Sequence, residues 1–191
     1  MEERSRCIIT GTNASKLPLT FSENTDTFRK IMTQLRNAIG TVFLAGVDEF
    51  YTDCSYGFSL WGAETVLSLM KDNDIRLYVV YPYENQPADY AENWRDRFYK
   101  IHELCSDVIP MFLEYDELED TRTFSKESPE ALIKKAADFM LDDCGRLIFV
   151  GDPTGDYIYE QAVKRNYDII TLASQGGSPA ADEGVWGGAP L

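Results

Sequence analysis

Six short apolar runs alternate with five stretches in which apolar residues recur every three or four positions. This alternation constrains the fold of the 191-residue chain more than any other property. The runs are Arg6–Thr10, Thr41–Ala45, Ile75–Tyr81, Asp107–Leu113, Arg146–Val150 and Asp168–Leu172. Phe28, Ile31, Met32, Leu35 and Ile39 mark one buried face of a helix that begins at Asp26, and Gly40 suits the position just past its end. After Gly57 the same periodicity runs through Leu60, Ala63, Leu67 and Met70, and later through Trp94, Phe98, Ile101 and Cys105. Pro129 fits a first helical turn before Leu132, Ile133, Ala136 and Met140, and Asp156 precedes Ile158, Ala162 and Val163. Strands alternating with helices predict a single α/β domain over residues 1–172, with a mainly parallel, doubly wound sheet covered on both faces. Pro110 makes the fourth run an edge or a bulge. Residues 114–128, acidic and aperiodic, read as a mobile loop. Residues 173–191, rich in Gly, Ala and Pro, read as a flexible tail.

Charge narrows the partners. With 32 acidic and 18 basic residues, the formal charge of −14 repels nucleic acid, and no Lys/Arg cluster offers a local exception. No apolar run approaches the ~20 residues of a membrane span, and Met1–Arg4 shows no signal-peptide core, so a soluble, cytoplasmic protein is expected. The four cysteines are widely spaced and there is one histidine, so no metal centre is expected. Cys7, Cys105 and Cys144 read as small buried hydrophobes. Cys54, in the loop before Gly57, reads as an ordinary loop thiol and alone has any claim to reactivity. His102, on a helix away from every loop, reads as a surface or satisfied histidine, which leaves no Ser-His-Asp or Cys-His mechanism.

Ligands of parallel sheets bind beyond the C-terminal ends of the strands. The loops starting at Gly11, Gly46, Pro82 and Gly151 all leave such ends, and they are predicted to share one crevice. Gly57 opens a helix whose first N–H groups can meet an anion, although a glycine there can equally serve the turn alone. Trp61 either stacks on a base or packs against a neighbour. Glu64 either accepts from a ribose diol, or acts as a general base, or is an exposed helix carboxylate. Gln86 offers both a donor and an acceptor to a base edge, with Pro82 and Tyr83 beside it. Thr10 and Gly11 either bind a ligand or turn the chain. Asp152 and Gly155 either offer backbone groups to the ligand's other end or simply start a helix. Glu64 with Asp152 is the one carboxylate pair this topology could bring together for catalysis.

Several of these segments, taken in order, resemble the SLOG superfamily, and in particular its YpsA-type branch. Thr10-Gly11 matches the Thr-Gly ending the first strand there. Gly57-Phe-Ser-Leu-Trp-Gly-Ala-Glu64 resembles the branch's Gly-x-Glu-Leu-Trp-Ala-Ala-Glu. Pro82-Tyr-Glu-Asn-Gln86 with Trp94 and Tyr99 resembles its Pro-Phe-x-x-Gln…Trp…Tyr, and Cys105-Ser-Asp107 its later Ala-Asp. The similarity spans residue 6 to about residue 172 and implies a Rossmann-like fold with a pocket for a nucleotide or an ADP-ribose-like derivative. Cys54 stands where the branch has a glycine, Ser59 where it has a glutamate, and a residue near Ala137 where it has an asparagine. Asp48, Glu49 and Asp53 form an acidic insertion expected beside the anion cradle. The Pro-Gly-Gly-x-Gly-Thr-x-x-Glu signature of the phosphoribohydrolase relatives is absent. The leading expectation is a small-molecule-binding protein with a sensing or regulatory role. The alternatives are a hydrolase of N-glycosidic bonds using Glu64, and a protein-interaction module with a vestigial pocket. A homo-oligomer is compatible with the sequence, and no other cofactor is implied. The functional expectation depends on Gly11, Trp61, Glu64 and Pro82 meeting at one rim.

Overall fold

A computed structural model describes residues 6–19, 21–116 and 121–172; the tail expected over 173–191 lies outside them. In chain order the elements are β1 (Arg6–Gly11), α1 (Asp26–Leu44), β2 (Glu49–Thr52), α2 (Phe58–Met70), β3 (Arg76–Tyr81), α3 (Glu92–Leu104), β4 (Asp107–Pro110), β5 (Leu113–Asp116), β6 (Thr121–Phe124), α4 (Pro129–Asp143), β7 (Arg146–Val150), α5 (Tyr157–Lys164) and β8 (Asp168–Leu172). Among the described residues six strands form one parallel sheet in the order β4-β3-β2-β1-β7-β8.

Successive side chains of a strand point to opposite faces, and both faces are covered here. Cys7 and Ile9 of β1 join Ile31, Leu35, Leu60, Phe98 and Ile101 in a core under α1, α2 and α3. Ile8, between them in sequence, joins Ala136, Met140, Phe149 and Ala162 under α4 and α5. That two-sided burial is why the strands read as nearly unbroken apolar runs. Pro110 ends β4, which is an edge strand, where a missing N–H costs no ladder bond to an outer neighbour. No helix of the described residues is long and apolar enough to cross a membrane.

Two expectations are corrected. Thr41–Ala45 is not a strand: residues up to Leu44 are the last turns of α1, and β2 is Glu49–Thr52. Ala38, Ile39 and Val42 continue the buried helical face, whereas Leu44 is 87% exposed, as no residue of an inner strand could be. Gly40 therefore lies inside α1, with open space where a Cβ would go. Gly40→Ala is expected to raise the unfolding free energy by about 0.5–1 kcal/mol, since alanine is the better helix former. A glycine ending the helix in a left-handed conformation would give the opposite sign, so urea midpoints decide the matter. The second correction concerns residues 114–128. Residues 117–120 lie outside the described ones, and the others are not an aperiodic loop, because β5 and β6 pair antiparallel, with Leu113 opposite Phe124, before Ser128 caps α4.

Glu49 starts β2 beside Arg6 and Arg76 on the flanking strands. Its carboxylate meets Arg6 Nε at 2.5 Å and an Arg76 guanidinium nitrogen at 3.0 Å, while Arg76 also holds Asp48 at 3.0 Å. Asp48 and Glu49 thus sit, neutralised, at the N-terminal end of the sheet. They are not beside the anion cradle where the sequence placed them.

Candidate functional site

The strands that follow β1 and β7 outward, β2 and β8, lie on opposite sides, so the switch point of the sheet falls between the C-terminal ends of β1 and β7. The two chain exits are tied together there. Thr12 N donates to the Val150 carbonyl at 2.8 Å. The Thr12 hydroxyl accepts from Asp152 N at 2.9 Å and donates to the Asp152 carbonyl at 3.3 Å. On this floor opens a crevice of about 430 Å³.

Thr10, Gly11, Thr12 and Asn13 line it from the β1 exit, and Asp152 and Thr154 from the β7 exit. α4 contributes a wall through Ile133, Ala137 and Met140, spaced so that they share one helical face. Tyr157 and Ile158 extend that wall from the start of α5. Asp53 and Ser55 arrive from the β2 exit, and Lys16 stands at the rim. Below the floor, hydroxyls pair in series: Thr10 Oγ1 lies 3.0 Å from Ser59 Oγ, which receives Ser55 Oγ at 3.0 Å.

Four carboxylates (Asp53, Glu130, Asp152 and Asp156) and two lysines (Lys16 and Lys134) line the crevice. Lys134 is committed to Asp138 at 2.6 Å, and Asp138 also accepts from the Tyr157 hydroxyl at 2.6 Å, which fixes that ring. Hydrogen bonds from the Thr154 hydroxyl and N–H hold the Asp152 carboxyl below its ordinary range, with Lys16 adding to the effect. Asp156 caps α5 by accepting from Tyr159 N at 3.0 Å. Burial pushes the Asp156 carboxyl above its ordinary value against that hydrogen bond, and the charge of Asp53 pushes it the same way. A carboxyl raised in the folded state contributes stability when protonated and loses it as pH rises through the folded pKa. Asp156→Asn keeps a capping oxygen and carries no charge. It should therefore be more stable than the parent at pH 7, and the advantage should shrink as pH falls toward the ordinary aspartate range. Urea titrations at several pH values measure this, and a difference independent of pH would contradict it.

The residues singled out in the sequence divide into two groups. Thr10, Gly11 and Asp152 line the crevice, and Gly155 lies between two lining residues, Thr154 and Asp156. The others lie elsewhere. A Cβ on Gly57 would come within 2.6 Å of Ala14 N and 2.7 Å of the Thr12 carbonyl, so the absent side chain admits the chain's own β1 exit, which crosses the start of α2. Trp61, 3% exposed, is a core residue whose indole N–H donates to Glu23 at 2.7 Å. Both carboxylate oxygens of Glu64 are held by Arg97, at 2.7 and 2.6 Å, in a separate depression between α2 and α3. The expected pairing of Glu64 with Asp152 is not made, and Gly11, Trp61, Glu64 and Pro82 do not meet at one rim. Pro82, Tyr83 and Gln86 also lie off the crevice. Gln86 is 5% exposed and donates from its amide to the Asp53 carbonyl at 2.9 Å, so it positions a lining residue from behind.

Cys54 is fully buried in a left-handed conformation (φ 51°), which a glycine takes without strain. Burial pushes its thiol well above the ordinary value, and the anionic form needed for reactivity is suppressed. His102 is partly buried rather than on the surface: its Nδ1 donates to the Phe98 carbonyl at 2.8 Å, and burial lowers its pKa. The α4 wall was not foreseen. One signal for it existed: Ile133 and Ala137 stand next to Leu132 and Ala136, so the apolar stripe of α4 is wider than one core-facing side requires.

A doubly wound parallel sheet with a crevice at its switch point defines a Rossmann-like α/β protein. The chain belongs to the YspA SLOG family (YpsA), whose family model matches residues 7–175. It is also similar to a UPF0398 protein of Streptococcus mutans serotype c, with 25% identity over 150 residues, covering 74% of this chain and 79% of that protein. SLOG proteins are in general linked to the binding or processing of nucleotide-derived ligands.

Proposed function

We infer that this protein binds a nucleotide-derived small molecule in the switch-point crevice and acts as a sensor or regulator in the cytoplasm. The observation that carries this reading is the crevice itself. It has the volume of a small-molecule pocket, a polar floor at two strand ends, and an apolar wall on α4 and α5. The SLOG assignment supports the ligand class. The four free cysteines agree with a reducing compartment. Binding without turnover is favoured over hydrolysis because Glu64, the carboxylate on which hydrolysis would rest, lies outside the crevice and is committed to Arg97.

A ligand that binds only the folded form raises the melting temperature. Nucleosides, nucleotides, ADP-ribose and NAD should therefore include at least one that shifts it. Ile133→Trp, which places a ring at an exposed position on the wall, should abolish that shift without unfolding the protein. A shift that survives this substitution would move the site elsewhere, and no shift with any compound would favour an interaction module. Release of free base from the binding compound, lost in Glu64→Gln, would establish the hydrolase instead.

A further inference from the structure

We propose that the crevice selects an uncharged, nucleoside-like ligand, with sugar hydroxyls donating to Asp53, Asp152 and Asp156 and the base lying along Ile133, Ala137, Met140 and Tyr157, and that it discriminates against the phosphorylated form. This rests on the crevice being the ligand site, as proposed above.

Three observations lead to it. First, the charge that lines the cavity is the wrong sign for phosphate. Four carboxylates face two lysines, and Lys134 is already paired with Asp138 at 2.6 Å, which leaves Lys16, among the described residues, as the one lining cation opposite them. Asp53 and Asp156 both line it, so carboxylates from the β2 and β7 exits address the same space.

Second, the helix starts at the crevice are already engaged: Ser128 caps α4 by accepting from Ala131 N at 3.3 Å, Asp156 caps α5 by accepting from Tyr159 N at 3.0 Å, and the start of α2 is closed. The β1 exit crosses the N-terminus of α2, where Phe58 N lies 3.4 Å from the Thr12 carbonyl and Ala14 N donates to the Tyr56 carbonyl at 2.8 Å.

Third, the two sides of the crevice match the two halves of a nucleoside. Ionised carboxylates are acceptors only, and vicinal hydroxyls are donors they can satisfy. The opposite wall is aliphatic, with the Tyr157 ring held in place by its bond to Asp138. A base has flat apolar faces that such a wall can cover.

Adding a 5′-phosphate places a dianion among a surplus of solvated carboxylates, each opposing it by a factor of roughly five at about 4 Å in water, so the total penalty is on the order of tenfold or more. The test is equilibrium dialysis of the full chain at low salt with adenosine, guanosine, cytidine and uridine and with their 5′-monophosphates, each with and without magnesium chloride. The expected result is retention of at least one nucleoside, with its monophosphate bound on the order of tenfold more weakly or worse. That ratio should narrow at 0.5 M salt, where the repulsion is screened, and in Asp53→Asn and Asp152→Asn. A monophosphate bound as tightly as its nucleoside, or bound tightly only with magnesium, overturns the proposal and leaves the crevice as a nucleotide site. Retention of neither set overturns the nucleoside proposal, and only a further absence of any melting shift with ADP-ribose and NAD overturns the reading of the crevice as a ligand site.

Discussion

Replacing Trp61 by alanine is expected to lower the unfolding free energy by about 3–5 kcal/mol, the range for truncating a large buried aromatic. Its ring centroid lies 5.0 Å from Phe28 and Phe58, 5.1 Å from Trp94 and 5.9 Å from Phe21. These partners come from the segment before α1, from α1, from α2 and from α3, so one side chain joins the layer of helices on this face of the sheet. Removing it opens a void among rings that cannot close over it. Trp61→Phe keeps most of the buried area and loses the 2.7 Å hydrogen bond to Glu23, for a cost of about 1–2 kcal/mol. Urea unfolding followed by near-ultraviolet circular dichroism measures both. Ligand affinity should be unchanged in Trp61→Phe. An unchanged stability with a lost ligand would instead give this ring a direct role in binding.

Gly11→Ala is expected to cost about 3 kcal/mol, the upper part of the range for overpacking a close-packed interior. A Cβ at this position would overlap the Val150 carbonyl oxygen and approach Phe58 Cβ to 2.8 Å. That carbonyl accepts from Thr12 N, so moving it weakens the join between the two central strands as well as relieving the clash. A flexible side chain could swing aside, but a carbonyl inside a parallel ladder cannot. The variant should unfold at lower urea and also lose ligand, because Gly11 forms part of the crevice floor. Wild-type stability in Gly11→Ala would mean that β1 and β7 are spaced differently from this structure.

How far the amino-acid sequence disclosed this molecule depends on whether a signal is local. The order of strands and helices was legible because Ile31, Leu35 and Ile39 repeat at helical spacing, while Leu147, Ile148 and Phe149 form an unbroken apolar run. The second strand was misplaced because Val42, Phe43 and Leu44 also make such a run, and only the exposure of Leu44 separates a helix end from a strand. β2 itself begins with a charged residue, Glu49, whose cost is offset by arginines on its two neighbours in the sheet, far away in the chain. In the site, Thr10, Gly11 and Asp152 were legible because a strand that stops at the switch point delivers its next residues there. Trp61 and Glu64 were not legible, because α2 lies between α1 and α3 over the sheet and is buried nearly all round. Its sequence then shows no polar face to say which side is open. Ala137 and Met140 were hidden for the opposite reason. One apolar face of α4 serves both the core and the opening.

The Thr12 hydroxyl, by accepting from and donating to the same residue across the switch point, makes the β1 and β7 exits a single rigid body. A bay with one fixed bank can widen only by movement of the other. Compounds of different bulk should be accommodated by displacement of α4, whose seat on the sheet is a row of alanine and methionine contacts rather than a backbone ladder. Amide exchange in α4 should then respond to the size of the guest, while exchange at Thr12 and Asp152 stays constant.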